Sequence, residues 1–281
     1  MYYLSVDEVK SLCTLETYKI KDFLLDKKEC FVFNLNQLFD AVKQGKVKNE
    51  ALNMYVKKNS TRLHILHDEA QQLSNEGLGF PIIIPQFPHF RTAEHLYQII
   101  KLDPEKGDDV VEKQLIILDQ TAGESAKRIG ERREEMRFFW RSSYILREWE
   151  MRDLPFSSYK EKHWEALTEI VNAMWYTLVM KLASNRKEFG RVLLKNGAAN
   201  QAPIVQISSE LRKPDVFWST KIERNGNLSG LNVFGKLVAR LRDKYRLELL
   251  EKTGRFNLLN VTPPFNINVF GGEIGTVDFN E

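Results

Sequence analysis

The chain has 281 residues and a mass of 32.8 kDa, long enough for one large domain or two modest ones with a sizeable core. With 43% hydrophobic and 28% charged residues it has a globular composition, which excludes a disordered or fibrous protein. Lys+Arg 41 against Asp+Glu 38 leave a formal net charge of +3, too near balance for nucleic-acid binding by bulk charge and leaving room only for a local basic face.

Met1 to Lys10 carries Asp7 and Glu8 and lacks a basic start followed by an apolar block, so no export signal is expected. The first sixty or so residues read as short helices: Val6, Leu12 and Leu15 are spaced for one, and Phe31 through Val42 for another, with Leu35, Leu38, Phe39 and Val42 apolar. Lys43, Lys46, Lys48, Lys57 and Lys58 make their surface lysine-rich, a solvated face. Cys13 and Cys30 have no metal-ligand spacing and cannot build a disulfide framework. They read as reduced thiols of a cytoplasmic protein.

From Arg62 the texture changes. Leu63-His64-Ile65-Leu66 reads as a short strand, and Ile82-Ile83-Ile84, between Gly and Pro residues, as a buried one. Thr92, with Glu94 in the first turn, opens a helix to about Leu102. Further helices are expected over Val110 to Leu118, from Glu124, over His163 to Ser184, on to Lys195, and over Asn232 to Leu250. Ile204 to Ile207 is a strand. Phe256 to Gly272 is uncharged but broken by Asn and Pro, so it is no membrane span, and the end of the chain reads as a loose extension. A few strands among many helices give a helix-rich α+β domain.

On the Thr92–Leu102 helix, Glu94, Gln98 and Lys101 fall at i, i+4 and i+7, placing a carboxylate, an amide and an amine on one face. Such a pair suits general base work beside an amine nucleophile, although solvated helices carry the same triplet. Gly230-Leu231-Asn232-Val233-Phe234-Gly235 is a glycine-spaced helix entry, which could receive a phosphate or simply start a helix. Trp164, Trp175 and Trp218 suit either base stacking or core packing. The Arg-rich run from Lys127 to Arg152 is interleaved with Glu131, Glu134, Glu135, Glu148 and Glu150, as on a salt-bridged exposed face. A Gly-Lys-Ser/Thr phosphate loop, paired zinc ligands and a serine nucleophile elbow are missing from the sequence. His64, His67, His89, His95 and His163 form no ligand cluster, so no metal is expected.

In this order the pieces resemble the NADAR (YbiA-like) family. The matching residues are Ser74-Asn75; Ala93-Glu94-His95-Leu96-Tyr97-Gln98 with Lys101; Ala126-Lys127-Arg128-Ile129-Gly130; His163-Trp164-Glu165; Trp218; and Gly230 to Gly235 with Arg242. The likeness spans about 62–246. Glu131 stands where the family has an arginine, and Ser219-Thr220-Lys221 where it often has Gly and an acidic residue.

The resemblance implies an α+β N-glycosidase domain over 62–252, preceded by a small helical extension (1–61) and followed by a tail (253–281). It implies cleavage of a bond between a base nitrogen and ribose without a cofactor. ADP-ribosylated guanine, in DNA or a nucleotide, is the leading substrate class. A phosphoribosylated riboflavin-pathway-like metabolite, or a non-catalytic module holding ADP-ribose, are the alternatives. By the same likeness Glu94 is the acid/base and Lys101 the nucleophile, forming a Schiff base with the opened ribose. Ser74, Asn75, His95, Gln98, Trp164, Trp218, Gly230 and Asn232 would form the substrate pocket.

Overall fold

The computed structural model describes residues 3–20, 31–33, 35–59, 70–195, 203–251 and 254–280. It is an α+β protein. Its strands are short: β1 (Glu16–Tyr18), β2 (Phe31–Phe33), β3 (Ile204–Gln206), β4 (Lys221–Ile222), β5 (Leu228–Gly230), β6 (Asn260–Val261), β7 (Asn268–Val269), β8 (Gly272–Glu273) and β9 (Val277–Asp278). No helix among the described residues is long and apolar enough to cross a membrane.

The chain divides into two compact units, each assembled from distant segments. One comprises Met1–Lys10, Asn75–Gly190 and Leu247–Glu281, the other Ser11–Ser74 and Arg191–Arg246. This differs from the division read off the sequence, and strand pairing gives the reason. Within the second unit β1 pairs antiparallel with β5, which pairs with β4, and β2 runs parallel to β3. Residues before position 62 therefore complete sheets with residues beyond 200 and do not form a free-standing extension. Likewise the end of the chain is no loose tail: β6 pairs with β9 and β7 with β8.

The helices expected from apolar spacing are present, displaced by up to a few residues at their ends: Val6–Leu12, Ala93–Ile100, Asp109–Leu118, Gly123–Gly130, Glu161–Ser184, Arg186–Lys195 and Val233–Glu251. Phe31–Phe33 departs from the expectation, because its backbone joins β3 and the helix begins only at Leu35. Ile82 makes a single antiparallel bridge to Phe90 in place of a full strand. The strand expected at 63–66 lies outside the described residues.

In the first unit the Glu161–Ser184 helix is apolar nearly all round, burying Leu167, Ile170, Met174, Trp175 and Leu178, as a central core helix must. The Ala93–Ile100 helix packs against it and against Gly123–Gly130, and all eight of its residues are buried. In the second unit Leu38, Ala41, Leu52, Val56, Val205, Ile207 and Leu228 share one core. Asn232, held at φ 52°, locks that unit together: its Nδ2 donates to Ile204 O (2.7 Å) and Tyr18 Oη (3.1 Å), and its Oδ1 accepts from Gln206 N (3.0 Å).

Gly235 is demanded by this clamp. A Cβ there would overlap Ile204 O and stand 2.5 Å from Asn232 Oδ1. Alanine inside a helix normally gains about 1 kcal/mol over glycine. Backbone overlap reverses the sign here, so Gly235→Ala is expected to destabilise by about 1–3 kcal/mol, read from the urea midpoint. An unchanged or raised midpoint would show that the clamp has slack.

Candidate active site

The site is built on the Ala93–Ile100 helix of the first unit. Asn75 fixes its first turn, its carbonyl accepting from Glu94 N at 2.9 Å. The Glu94 carboxylate, 5% exposed, then receives one amide donor on each oxygen: Asn75 Nδ2 on Oε2 at 2.7 Å and Gln98 Nε2 on Oε1 at 2.7 Å. Burying a carboxylate without such partners would cost several kcal/mol. The i, i+4 spacing of Glu94 and Gln98 thus has a definite use. Gln98 reaches its place only because residue 130 is glycine, since a Cβ there would overlap Gln98 Oε1 and lie 2.9 Å from Gln98 Cβ. Asn75 Oδ1 is buried and makes no hydrogen bond.

Lys101 follows directly as the helix C-cap and is 6% exposed. Its Nζ lies 3.8 Å from the centre of the Trp140 ring and 5.6 Å from that of Tyr144, and donates to Gly130 O at 3.4 Å. Trp140 Nε1 donates to the same carbonyl at 3.1 Å, which fixes the ring beneath the amine. Burial pushes the amine down to about 8, with Glu131 and Glu94 pulling it up and Arg147 pushing it further down. Such an amine releases its proton near neutral pH, as a nucleophilic lysine must.

The cluster continues toward solvent through Glu76 and Lys127, whose side chains are 24% and 33% exposed and pair at 3.7 Å. Burial pushes Glu76 up to about 7; Lys127 opposes this, and Glu94, Glu124 and Glu131 add to it. Asn75, Glu94, Gln98 and Lys101 are thus buried together, with the partly exposed Glu76 at their edge and within electrostatic reach of Glu94.

Of the residues singled out in the sequence, Glu94, Gln98, Lys101 and Asn75 come together. The others have local duties. Thr92 Oγ1 and Gln120 O engage both ring nitrogens of His95 at 2.8 Å each, which ties the helix start to a neighbouring loop; burial lowers its proton affinity. Ser74, buried in the second unit, accepts from Gln71 Nε2 at 3.4 Å. Trp164 packs with Phe156 and Tyr159, ring centres 5.7 and 5.2 Å away. In the second unit Trp218 meets Phe217 edge-on at 4.8 Å, and a Cβ on Gly230 would overlap Ser219 O. Asn232, read from the sequence as a ligand-holding residue, spends its side chain on the clamp described above.

Sequence reasoning missed Trp140, Tyr144 and Glu76. The Arg-rich run holding the two aromatics alternates charges like a solvated face, yet Trp140, in extended backbone, and Tyr144, on the short helix Ser142–Leu146, are both buried with their rings beside Lys101. Also missed is Lys181, wholly buried with Nζ 4.5 Å from the Phe189 ring centre and 5.2 Å from that of Phe80, where burial pushes it down to about 7. The second unit holds a cleft of about 200 Å³ lined by Lys46, Glu210, Thr220, Lys221, Glu223 and Arg224, in which Lys221 and Glu223 pair at 3.1 Å. Among the described residues no group of three or more His, Cys, Asp or Glu is placed to hold a metal ion.

Compared with known proteins, the chain matches no family model, no curated protein and no solved structure.

The depressed Lys101 value sets a pH dependence of stability. Between about 8 and the ordinary 10.5 the unfolded chain holds a proton that the folded one has released. The native state is therefore penalised below pH 8, and the penalty fades as pH rises through that window. Lys101→Met, which keeps the stem and removes the charge, is expected to be more stable than wild type at pH 7 by something on the order of 1–3 kcal/mol. Denaturant titrations from pH 7 to 10.5 should show the gap closing; a constant gap would mean that Lys101 stays charged in the fold.

Proposed function

We propose that this chain is an N-glycosidase cleaving the bond between a base nitrogen and ribose, with ADP-ribosylated guanine in DNA or a nucleotide as substrate. The observation that carries this reading is a desolvated amine, brought down to about 8, in the same dry array as a carboxylate held by two amides. The likeness of Ser74-Asn75, Ala93 to Lys101 and Ala126 to Gly130 to the NADAR family supports the substrate class.

Departure of a base from ribose builds oxocarbenium-like charge at the anomeric carbon, which the buried Glu94 carboxylate would stabilise. Lys101 enters this step as the free amine, its proton lost to solvent, so Glu94 keeps its charge. The free Lys101 Nζ forms a bond to C1′ as the C1′–N bond breaks, its electron pair leaving with the base. Glu94 then takes a proton from the bonded nitrogen and gives it to the ribose ring oxygen, which leaves C1′ as a hydroxyl and yields a Schiff base that water hydrolyses to free sugar and the restored amine. Trp140 and Tyr144 keep bulk water from the amine before attack. Asn75 Oδ1 is a ready acceptor for a ribose hydroxyl.

The decisive assay is release of ADP-ribose from an ADP-ribosylated guanine oligonucleotide, with and without borohydride. Wild type is expected to release sugar and to trap a reduced ribose adduct on the Lys101 peptide. Glu94→Gln should lose ~10²–10⁴-fold in rate, and Lys101→Ala should form no adduct. Chelator should leave the rate unchanged, because no step runs through a metal. A folded wild type that binds ADP-ribose without releasing it would replace this reading with a binding module. Release from phosphoribosyl metabolites alone would move the substrate class.

A further inference from the structure

In the scheme above the leaving base departs with an electron pair that needs a proton. Glu94 is ill suited to supply it: each of its oxygens already accepts an amide N–H, and its proton traffic is with Lys101. A second carboxyl in the array has no role yet. Glu76 follows Asn75, the residue that binds Glu94 through both backbone and side chain.

Glu76 is held by a built contact. Gly123 opens the Gly123–Gly130 helix against it, and a Cβ on Gly123 would lie 2.7 Å from Glu76 Cα and 2.9 Å from its carbonyl oxygen. Only glycine lets the helix approach so closely. One turn on, Lys127 meets the Glu76 carboxyl at 3.7 Å, and the pair is the part of the array that water reaches. The charged groups acting on Glu76 are Lys127 and Glu124 from this helix, Glu131 just beyond it, and Glu94 from the Ala93–Ile100 helix.

We propose that Glu76 is the proton donor to the leaving base, working opposite Glu94 in a division of labour between two carboxyls of unlike surroundings. The assignment rests on the N-glycosidase reading and extends it. As Lys101 Nζ bonds to C1′ and the C1′–N bond breaks, the Glu76 carboxylic acid gives its proton to the departing ring nitrogen and becomes a carboxylate. It is reprotonated from solvent through its exposed edge. Its position near 7 supports the role, since an acid must hold its proton at working pH and yet give it up readily.

The test compares two leaving groups. Guanine needs a proton to depart, whereas a pyridine leaving an N-ribosyl pyridinium departs neutral and needs none. Glu76→Gln is expected to slow guanine release by ~10²–10³-fold and to abolish the fall in wild-type rate above about pH 8, where the gain in free Lys101 no longer offsets the loss of the acid, with a far smaller loss on the pyridinium substrate. Lys127→Met, which removes the opposing cation, should move the wild-type fall to higher pH. Equal losses on both substrates would make Glu76 a structural residue, and a Glu76→Gln enzyme that keeps both rate and pH profile on guanine would exclude it from proton transfer. Either outcome sinks the assignment and leaves the glycosidase reading intact. A wild type that releases no base from either substrate overturns the glycosidase reading itself. Infrared difference spectra serve as the independent readout: a protonated carboxyl band at pH 6, absent in Glu76→Gln, is expected, and its absence from wild type excludes the donor.

Discussion

The first unit is organised by the need to satisfy one buried carboxylate. Glu94 sits inside an eight-residue helix with no solvent-facing side, so its charge must be met by the protein. Asn75 and Gln98 meet it, and each brings a further constraint. Asn75 must also take the Glu94 backbone N–H, which ties the preceding loop to the helix start. Gln98 must lie flat against residue 130, which therefore has no Cβ. The Gly130 carbonyl is then open to two donors, Lys101 Nζ and Trp140 Nε1. From carboxylate to amide to glycine to amine and indole, each choice follows from the one before.

The second unit obeys the same logic with a neutral group at its centre. Asn232 gives all three of its side-chain hydrogen bonds to β3 and to Tyr18 of β1, and Gly235 is the space that this arrangement needs. A glycine-spaced helix entry looks alike in sequence whether it receives a phosphate or its own backbone. Here the close neighbours of Gly230 and Gly235 are Ser219 O and Ile204 O, protein atoms in both cases.

These two centres show what a single sequence discloses. Helix positions were legible because apolar spacing is local, as in Ala93–Ile100 or Val233–Glu251. The face shared by Glu94, Gln98 and Lys101 was legible for the same reason. Strand β2 was not, because Phe31–Phe33 becomes extended only on meeting β3 some 170 residues later along the chain. Trp140 and Tyr144 were hidden by their company: flanking Arg and Glu residues suggest water, but burial is decided residue by residue around a turn. Glu76 carries no mark in sequence at all. Its character comes from Gly123 and Lys127, which lie about fifty residues away.

One physical cause then moves two titratable groups in opposite senses. Removal from water disfavours the charged form of any titratable side chain, raising acids and lowering amines. In this array the same desolvation brings Glu76 up to about 7 and Lys101 down to about 8. An exposed pair would stand far apart, the carboxyl always ionised and the amine always protonated, with neither proton available. Buried together their values approach each other near neutrality, where each group can exchange its proton. The nearby charges moderate the effect, Lys127 restraining the acid and Glu131 with Glu94 restraining the amine, so neither group is driven to permanent neutrality. Glu131 gains its place in this balance: an arginine there would push the Lys101 amine further down, whereas the carboxylate keeps it within reach of its proton.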